Sequence, residues 1–492
     1  MLERRIKIHG QTQFELKLHY PLDKKKREAE YNVDLYFFLP RSLGITKTTY
    51  RKVNFYDSVQ NYIRLKTPVY TLEGILEGEN SPYLRLKRAY EKLVKQNDEE
   101  TREEYETHTK LFCSIFASSI RDNTYYLTHD APHTELDKLI EKQIAAATKI
   151  AEKYRELRTV IAVPTVGKEL FAVHLYGDEY ISLLIEKYSF RILEFLKKHK
   201  FRFDKEKISE KLLALIRREL EYRKKNDYSS LPDEKNESEE MMFRFSVLKK
   251  YFDSVLSIEM NKEQEGVVLE QVLFAIAAGL AMVFATAVAF VSQSIYGNLT
   301  MPFFIALVIS YMFKDRIKEL TRIALKNIFS KRLYDYRTKL YLDEKHKLGI
   351  IRTGFSFVKE EELPKEIVRL RKKNRTKEFD NKFSREKIIL FRKSVKLVSR
   401  IRASLSGGYQ FDSITDILRF DVSRFLAKMD EPRKTIFTLT NSSYKKIHAR
   451  RVYHVNLIIK FERAALTEYH RYRLVLTRRG IERIEHVTSE NI

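Results

Sequence analysis

The chain predicts a multidomain α+β membrane protein, with a two-helix transmembrane hairpin set between two water-facing parts. Three observations carry this. Residues 271–313 are forty-three consecutive positions without Asp, Glu, Lys or Arg. Apolar residues alternate with polar ones near both ends of the chain, the period of a half-buried strand. From residue 82 to about 261 the period lengthens to that of amphipathic helices.

The uncharged run sets the topology. A bilayer core takes about 20 apolar helical residues, so the run has room for two passes and a turn. The first pass is expected over 272–291 and the return over 296–313, with Pro302 in the first helical turn of the return. Only fifteen residues, 299–313, precede the first charge of the return helix. At about 1.5 Å per residue they span about 22 Å. The return span must therefore borrow Ile317 and Leu320 while Lys314 and Arg316 snorkel, thin the bilayer, or enter as a re-entrant helix.

Composition sets the outer bounds. A length of 492 residues implies about three domains. With 43% apolar and 32% charged residues, the chain can build real cores and is not disordered as a whole. The single cysteine, Cys113, excludes an internal disulfide framework and a four-cysteine zinc site. Glu3, Arg4, Arg5 and Lys7 leave no room for a signal peptide in the first ten residues, so the N-terminal part is expected in the cytoplasm. The net charge of +25 is unevenly placed: residues 1–313 hold 48 Lys and Arg against 45 Asp and Glu, so +22 of it follows the hairpin. Lys314, Arg316, Lys318 and Arg322 directly after the second pass favour the cytoplasmic side. Two passes return the chain to its starting side, giving a multi-pass membrane protein with both termini cytoplasmic.

In chain order, residues 1–78 read as a small β-rich domain, with a short helix at 54–66. The basic cluster Lys24, Lys25, Lys26, Arg27 sits in one of its connections. Residues 79–262 read as helices at 82–96, 102–120, 134–158, 179–199, 205–223 and 239–261, with room for a β-hairpin at 159–175 and a polar linker at 227–238. Glu219 and Arg223 are spaced as an exposed i,i+4 ion pair. After the hairpin (267–313), a basic juxtamembrane helix is expected over 314–347. Residues 348–492 then read as a basic α+β domain, with strands at 353–358, 387–398, 435–439, 451–461 and 469–477. In that domain Ile414, Leu418, Val422, Phe425 and Met429 make a helical stripe, so a helix is expected over 412–429. Along the last two strands Tyr453, Val455, Leu457, Ile459 and Phe461 face one way, as do Tyr472, Leu474 and Leu476. His454, Asn456, Lys460, Arg471 and Arg473 face the other, giving an oily and a basic side.

Signals for chemistry are sparse. Neither G-x-x-x-x-G-K-[ST] nor G-x-G-x-x-G occurs, and 14 glycines argue against a dedicated nucleotide fold. His129, Asp130 and His133 have the residue types of a zinc or manganese site, but Pro132 opposes the helix that would align the rings, and Thr134 with Asp137 reads as a capping box. Asp412 and Asp416 could hold Mg²⁺ at a helix start, although first-turn acids ordinarily complement the helix dipole. Cys113 lies in an apolar helical stretch that suits a core thiol. No cofactor is indicated.

The basic stretches remain: Arg369, Arg371, Lys372, Lys373 and Arg375, echoed by Lys445, Lys446, Arg450, Arg451, Arg478 and Arg479. With Arg471 and Arg473 they form a candidate contact for anionic lipid headgroups or an acidic protein, and less favourably for nucleic acid. Small residues in the first pass, among them Ala277, Gly279 and Ala281, permit close helix packing and self-association into a homo-oligomer. The expected role is that of a membrane-anchored scaffold, sensor or effector acting by binding and assembly. A membrane-tethered, metal-dependent hydrolase acting on a phosphate-containing substrate is the alternative.

Overall fold

The computed structural model describes residues 6–22, 28–199, 201, 203–231, 239–297, 300–330, 334–342, 346–372, 386–398, 408–409, 411–441, 443–464 and 466–487. Residues 24–27, most of the expected 227–238 linker, and Lys373 and Arg375 of the basic stretch lie outside them. The elements in chain order are β1 (Ile6–Ile8), β2 (Gln13–Pro21), β3 (Glu28–Leu39), α1 (Lys52–Asp57), β4 (Val59–Leu65), α2 (Pro82–Lys95), α3 (Glu99–His129), α4 (Leu136–Ile161), α5 (Lys168–Lys198), α6 (Lys205–Lys225) and α7 (Glu239–Asp253). There follow β5 (Glu259–Gln264), α8 (Val267–Tyr296), α9 (Met301–Ser330), β6 (Tyr336–Tyr341), β7 (Lys347–Val358), α10 (Lys365–Lys372) and β8 (Lys387–Val398). The chain continues through β9 (Ser413–Asp421), α11 (Ser423–Leu426), β10 (Arg433–Thr440), β11 (Ser443–Arg450), β12 (Tyr453–Arg463), β13 (Leu466–Thr477) and β14 (Gly480–His486).

The fold is mixed α+β and divides into two compact units. One comprises residues 1–63, 258–399 and 415–492; the other comprises 64–257 and 400–414. In the first unit, strands from both ends of the chain share one antiparallel sheet in the order β14-β13-β12-β3-β8-β7-β6-β5. The N-terminal strand β3 lies between β12 and β8, pairing Phe37 with Leu457 and with Ile389. The two terminal regions read from sequence as separate thus share one sheet, in which β3, with Tyr31, Val33, Leu35, Phe37 and Leu39 buried, has the backbone groups of both its edges paired.

A second sheet, ordered β1-β2-β9-β4, contributes the rest of this unit's core. Phe14 of β2 stacks on Phe420 of β9 at 5.1 Å, and Phe420 meets Phe37 at 5.4 Å. Phe55 of α1 fills the same layer, 5.2 Å from Phe391 and 4.7 Å from Phe355. Offset and tilted rings at these separations add to the area they bury.

Several local expectations are corrected. Residues 412–429 form strand β9 and the short α11 rather than one helix. Ile414 and Leu418 fit both periods, but Ile414, Asp416, Leu418 and Phe420 are all buried at period two, and the polar Asp416 hid that alternation. The helix expected at 54–66 ends at Asp57, and β4 follows with Ile63 and Leu65 buried. The 239–261 helix stops at Asp253, and β5 is an exposed edge strand without an apolar face. No hairpin forms at 159–175: α4 runs to Ile161 and α5 begins at Lys168 after Gly167, whose φ of +80° suits glycine. The juxtamembrane helix ends at Ser330; Thr338 and Leu340 then point inward from strand β6.

The strand registers fix which connections share an end of the large sheet. Gln264 of β5 pairs with Tyr336 of β6, Tyr336 with Thr353, Val358 with Ile388, and Leu39 with Lys387. Phe38 pairs with Asn456 near the start of β12, and Tyr453 pairs with Leu476 at the end of β13. The α8–α9 pair, α10, the β10–β11 hairpin and the β13–β14 turn with Arg478 and Arg479 all leave the sheet from this one end.

The second unit is helical. Its core is built from stripes such as Leu86, Ala89, Tyr90 and Leu93 on α2 and Ile140, Ala147, Ile150, Tyr154 and Leu157 on α4. Asp98 caps α3, accepting from the Thr101 backbone at 2.9 Å while Thr101 Oγ1 receives the Asp98 N–H at 3.1 Å. Gly177 on α5 lets the Tyr154 hydroxyl approach, since a Cβ there would lie 2.0 Å from that oxygen.

Candidate functional site

Helices α8 and α9 pack along each other. Leu273, Ala277 and Ala281 are buried on α8 at i,i+4 spacing, and the small side chains at 277 and 281 allow close approach. Ser310 Oγ on α9 donates to the Ala285 carbonyl at 3.4 Å, and the Arg322 guanidinium lies 4.3 Å from the Phe274 ring centroid. The pair is therefore antiparallel. Much of the remaining apolar surface of α8 projects outward: Val272, Ile276, Leu280, Val283, Phe290, Val291 and Ile295 are all exposed. Among the described residues, Gln271–Tyr296 is the one helix long and apolar enough to cross a membrane, with 17% of its apolar window buried.

The return helix falls short of that measure. Its charge-free part, residues 301–313, covers about 20 Å at about 1.5 Å per residue. The 285–310 and 274–322 contacts set Lys314 level with Met282, inside the apolar stretch of α8. Lys314 lies over Tyr311, 3.8 Å from its centroid, while Arg316 and Lys318 are exposed and Arg322 reaches Glu319 at 3.7 Å.

The expected basic sheet face is not open. Helix α10 lies across it, with Ile367 buried among Tyr36, Phe38, Ile388 and Ile458. Arg471 is buried, donating to Asn456 Oδ1 at 2.9 and 3.2 Å and to the Leu370 carbonyl at 2.9 Å. Arg371 is buried too, held by Glu386 at 2.5 Å. Arg473 pairs with Glu485 at 3.2 Å. These three are structural arginines: the alternation of Arg471 and Arg473 was legible, but the covering helix that carries Arg371 was not. Arg369 and Lys372, on the outer side of α10, remain exposed.

The acids and histidines singled out from sequence do not converge. His129 stacks on Tyr125 at 4.2 Å, with Nδ1 at 3.2 Å from the Tyr125 carbonyl and 2.8 Å from Thr128 Oγ1. His133 packs on Phe201 at 5.4 Å, and Asp130 is exposed. Thr134 does not cap α4, which begins at Leu136 after Glu135 without a side-chain cap. Asp412 is exposed before β9, whereas Asp416 is buried within it. Strand geometry, at about 3.3 Å per residue, separates the two by more than a shared ion allows. Among the described residues, no three His, Cys, Asp or Glu side chains gather to hold a metal.

Two buried polar clusters went unread in the sequence. In the sheet unit, Lys393 Nζ on β8 lies 2.5 Å from Asp416 Oδ2, which also accepts from the Tyr20 hydroxyl at 2.9 Å. Burial lowers the Lys393 pKa against the pull of Asp416, and raises that of Tyr20. In the helical unit, Arg155 donates to Asp178 at 2.9 Å and to Glu219 at 2.6 and 3.2 Å, and stacks over Tyr222 at 3.5 Å. Tyr222 and Tyr228 both donate to Asp178, at 2.6 and 2.9 Å. Arg223, fully buried, pairs with Glu186 and donates to Ser182 at 3.1 Å.

Glu219 and Arg223 are thus not an exposed pair: each is 0% exposed and each pairs with another helix. The signal was Asp178, Ser182 and Glu186 at i,i+4 among Ile181, Leu183, Leu184 and Ile185, polar residues placed where α5 is otherwise apolar. Cys113 is buried, and burial holds its thiol well above the ordinary range, as its setting implied.

Fold and site together define a mixed α+β protein with one helix of membrane-spanning character. The chain matches no known family model, no curated protein and no solved structure at a significant level.

Proposed function

We propose that this protein is anchored in a membrane by the α8–α9 hairpin and works by binding and assembly, as a scaffold, sensor or effector on the membrane surface. The observation that carries the reading is the outward apolar face of α8, from Val272 to Ile295. Exposed apolar patches on soluble monomers rarely exceed a few hundred Å². Both units then lie on one aqueous side, expected to be the cytoplasm because Lys314, Arg316, Lys318 and Arg322 follow the apolar stretch. Anionic headgroups at that surface are the natural partners of these cations and of Arg369 and Lys372.

Lys314 beside Met282 favours a hairpin that enters from one face and thins the bilayer or stops short, since about 20 Å of uncharged return helix meets a core of about 30 Å. Alkaline carbonate treatment of membranes should leave the protein in the pellet; release into the supernatant would end the anchored reading. Ser294→Cys then reports depth, because Cys113 is buried and silent. Labelling by an impermeant maleimide from the far side means two full passes, and protection means a re-entrant hairpin. Crosslinking in native membranes tests assembly, and a strictly monomeric species would remove the oligomer from the proposal.

A further inference from the structure

The β10–β11 hairpin has no place in the core. Ile436, Phe437, Leu439, Tyr444 and Ile447 are all exposed, Leu439 at 90%, Tyr444 at 70% and Phe437 at 66%. A two-stranded hairpin with both faces in water is marginally stable at best, so its apolar residues call for a partner. The register sorts them. Leu439 pairs with Tyr444 and Phe437 with Lys446, placing Phe437, Leu439 and Tyr444 on one face next to the tip. The Phe437 and Tyr444 rings meet edge-on at 5.7 Å. Arg433 and Arg450 pair at the base of that same face, with Thr435 and His448 between.

Charge narrows the choice of partner. From Arg433 to Arg451 the sequence has six Lys and Arg and no carboxylate. Arg450 and Arg451 lean on Glu482 and Asp430 at 3.5 and 2.8 Å, but among the described residues no carboxylate pairs with Arg433, Lys434, Lys445 or Lys446. The partner is therefore anionic and also accepts aliphatic and aromatic side chains. Topology adds the decisive point: the strand registers bring this hairpin off the same end of the eight-stranded sheet as α8 and α9.

We propose that the β10–β11 hairpin is a second membrane contact, with Phe437, Leu439 and Tyr444 seated in the interface of an anionic bilayer and Lys434, Lys445 and Lys446 among its headgroups. This rests on the anchored reading above. Apolar residues flanked by cations are how interfacial segments bind, and an aromatic ring with a polar tip fits the headgroup level. Nucleic acid would meet the charge equally well, but Leu439 and Ile436 offer it no stacking surface.

The protein has no tryptophan, so one introduced indole reports alone. Leu439→Trp, at an exposed tip, and Phe284→Trp, on the outer face of α8, are each placed in the full chain. Each is reconstituted in phosphatidylcholine vesicles with and without phosphatidylserine, carrying bromine on the acyl chains. Leu439→Trp should shift to the blue and lose at least about half its intensity with phosphatidylserine present, far less without it. Adding Lys445→Glu and Lys446→Glu should abolish the difference. Phe284→Trp should be quenched in both vesicles. An unquenched Leu439→Trp beside a quenched Phe284→Trp overturns the second contact and leaves the anchor standing; if both are unquenched, both readings fall. A blue shift that follows protein concentration and not lipid assigns the tip to a second copy of the chain, and one produced by added oligonucleotide assigns it to nucleic acid. Either result overturns the proposal.

Discussion

Both units bury ions, and they do so differently. The helical unit threads Arg155 through two carboxylates and sets Arg223 against a third, with tyrosine hydroxyls filling the remaining acceptor sites on Asp178. The sheet unit, besides the Arg371–Glu386 pair under α10, sets a buried lysine against one aspartate, and Asp416 Oδ1 has no hydrogen-bond partner among the described residues. The planar fork of an arginine serves several acceptors at fixed angles, whereas an ammonium is a point charge that burial readily neutralises. The pKa directions follow. Burial works against the charge of Arg155, but Glu219 and Asp178 raise its pKa above the ordinary value; burial wins at Lys393 and lowers it. One cluster is built to stay charged. In the other, burial works against the charge of the lysine more than its single carboxylate supports it.

Breaking the larger cluster should cost most. Arg155→Met strands Asp178 and Glu219 together, and removing one partner of a buried pair costs about 3–5 kcal/mol. With two buried carboxylates losing their shared guanidinium, and only the more distant Arg218 at 3.8 Å from Glu219, the loss should sit near the top of that range. Urea denaturation of the full chain in detergent, followed by helical circular dichroism, should show the helical transition moving to much lower denaturant. A loss below about 1 kcal/mol would mean that the carboxylates find other partners.

Lys393→Met should cost somewhat less, about 3 kcal/mol, since it strands one carboxylate instead of two and Asp416 keeps the Tyr20 hydroxyl as a donor. The double change Lys393→Met with Asp416→Leu should recover most of the loss, because a well-packed apolar pair replaces a desolvated ionic one. Failure of the double variant to recover would show that the pair does more than satisfy itself.

What the sequence disclosed follows from this comparison. The stripe of α2 was plain, because no charged residue on that helix is buried. The uncharged run at 271–313 was plain for the same reason, one chemistry held over a long stretch. Misreadings came where a polar residue occupies a buried position. Asp416 broke the alternation that marks β9, and Glu219 with Arg223 passed for a solvated pair. The composite sheet was invisible for another reason: each strand was legible, but its neighbour lay several hundred residues away. The cover that α10 gives to Arg471 is likewise a tertiary fact, with no trace in the period of either element.

Acid should separate the units further. His174 is buried, with Nδ1 3.0 Å from the Tyr90 hydroxyl, and burial lowers its pKa to about 4, with Asp178 pulling weakly the other way. Burial lowers His108, in the same unit, to about 4 as well. A folded pKa below the unfolded one means that the unfolded chain binds more protons between the two values. The contribution is thus complete above about pH 6.5 and is lost as the pH falls through that window to about 4. For a shift of this size the loss is about 3 kcal/mol per histidine. His174→Asn should remove about half of the acid sensitivity of the helical transition. An unchanged pH profile would mean that His174 is protonated in the native state after all.

The smallest effect sharpens the comparison most, because its geometry is so similar. Lys92 donates to both oxygens of Glu104 at 2.8 and 2.9 Å, distances close to those of Arg155 and Asp178. The difference is solvent. The Lys92 side chain is largely exposed, and an exposed pair gains little over water while losing side-chain freedom, typically netting 0.2–1 kcal/mol. Lys92→Ala should therefore lower the unfolding free energy by less than about 0.5 kcal/mol, and high salt should erase even that. If it instead approached the loss expected for Arg155→Met, distance and not burial would govern what an ion pair contributes in this protein, and the contrast between its two charged interiors would have to be explained another way.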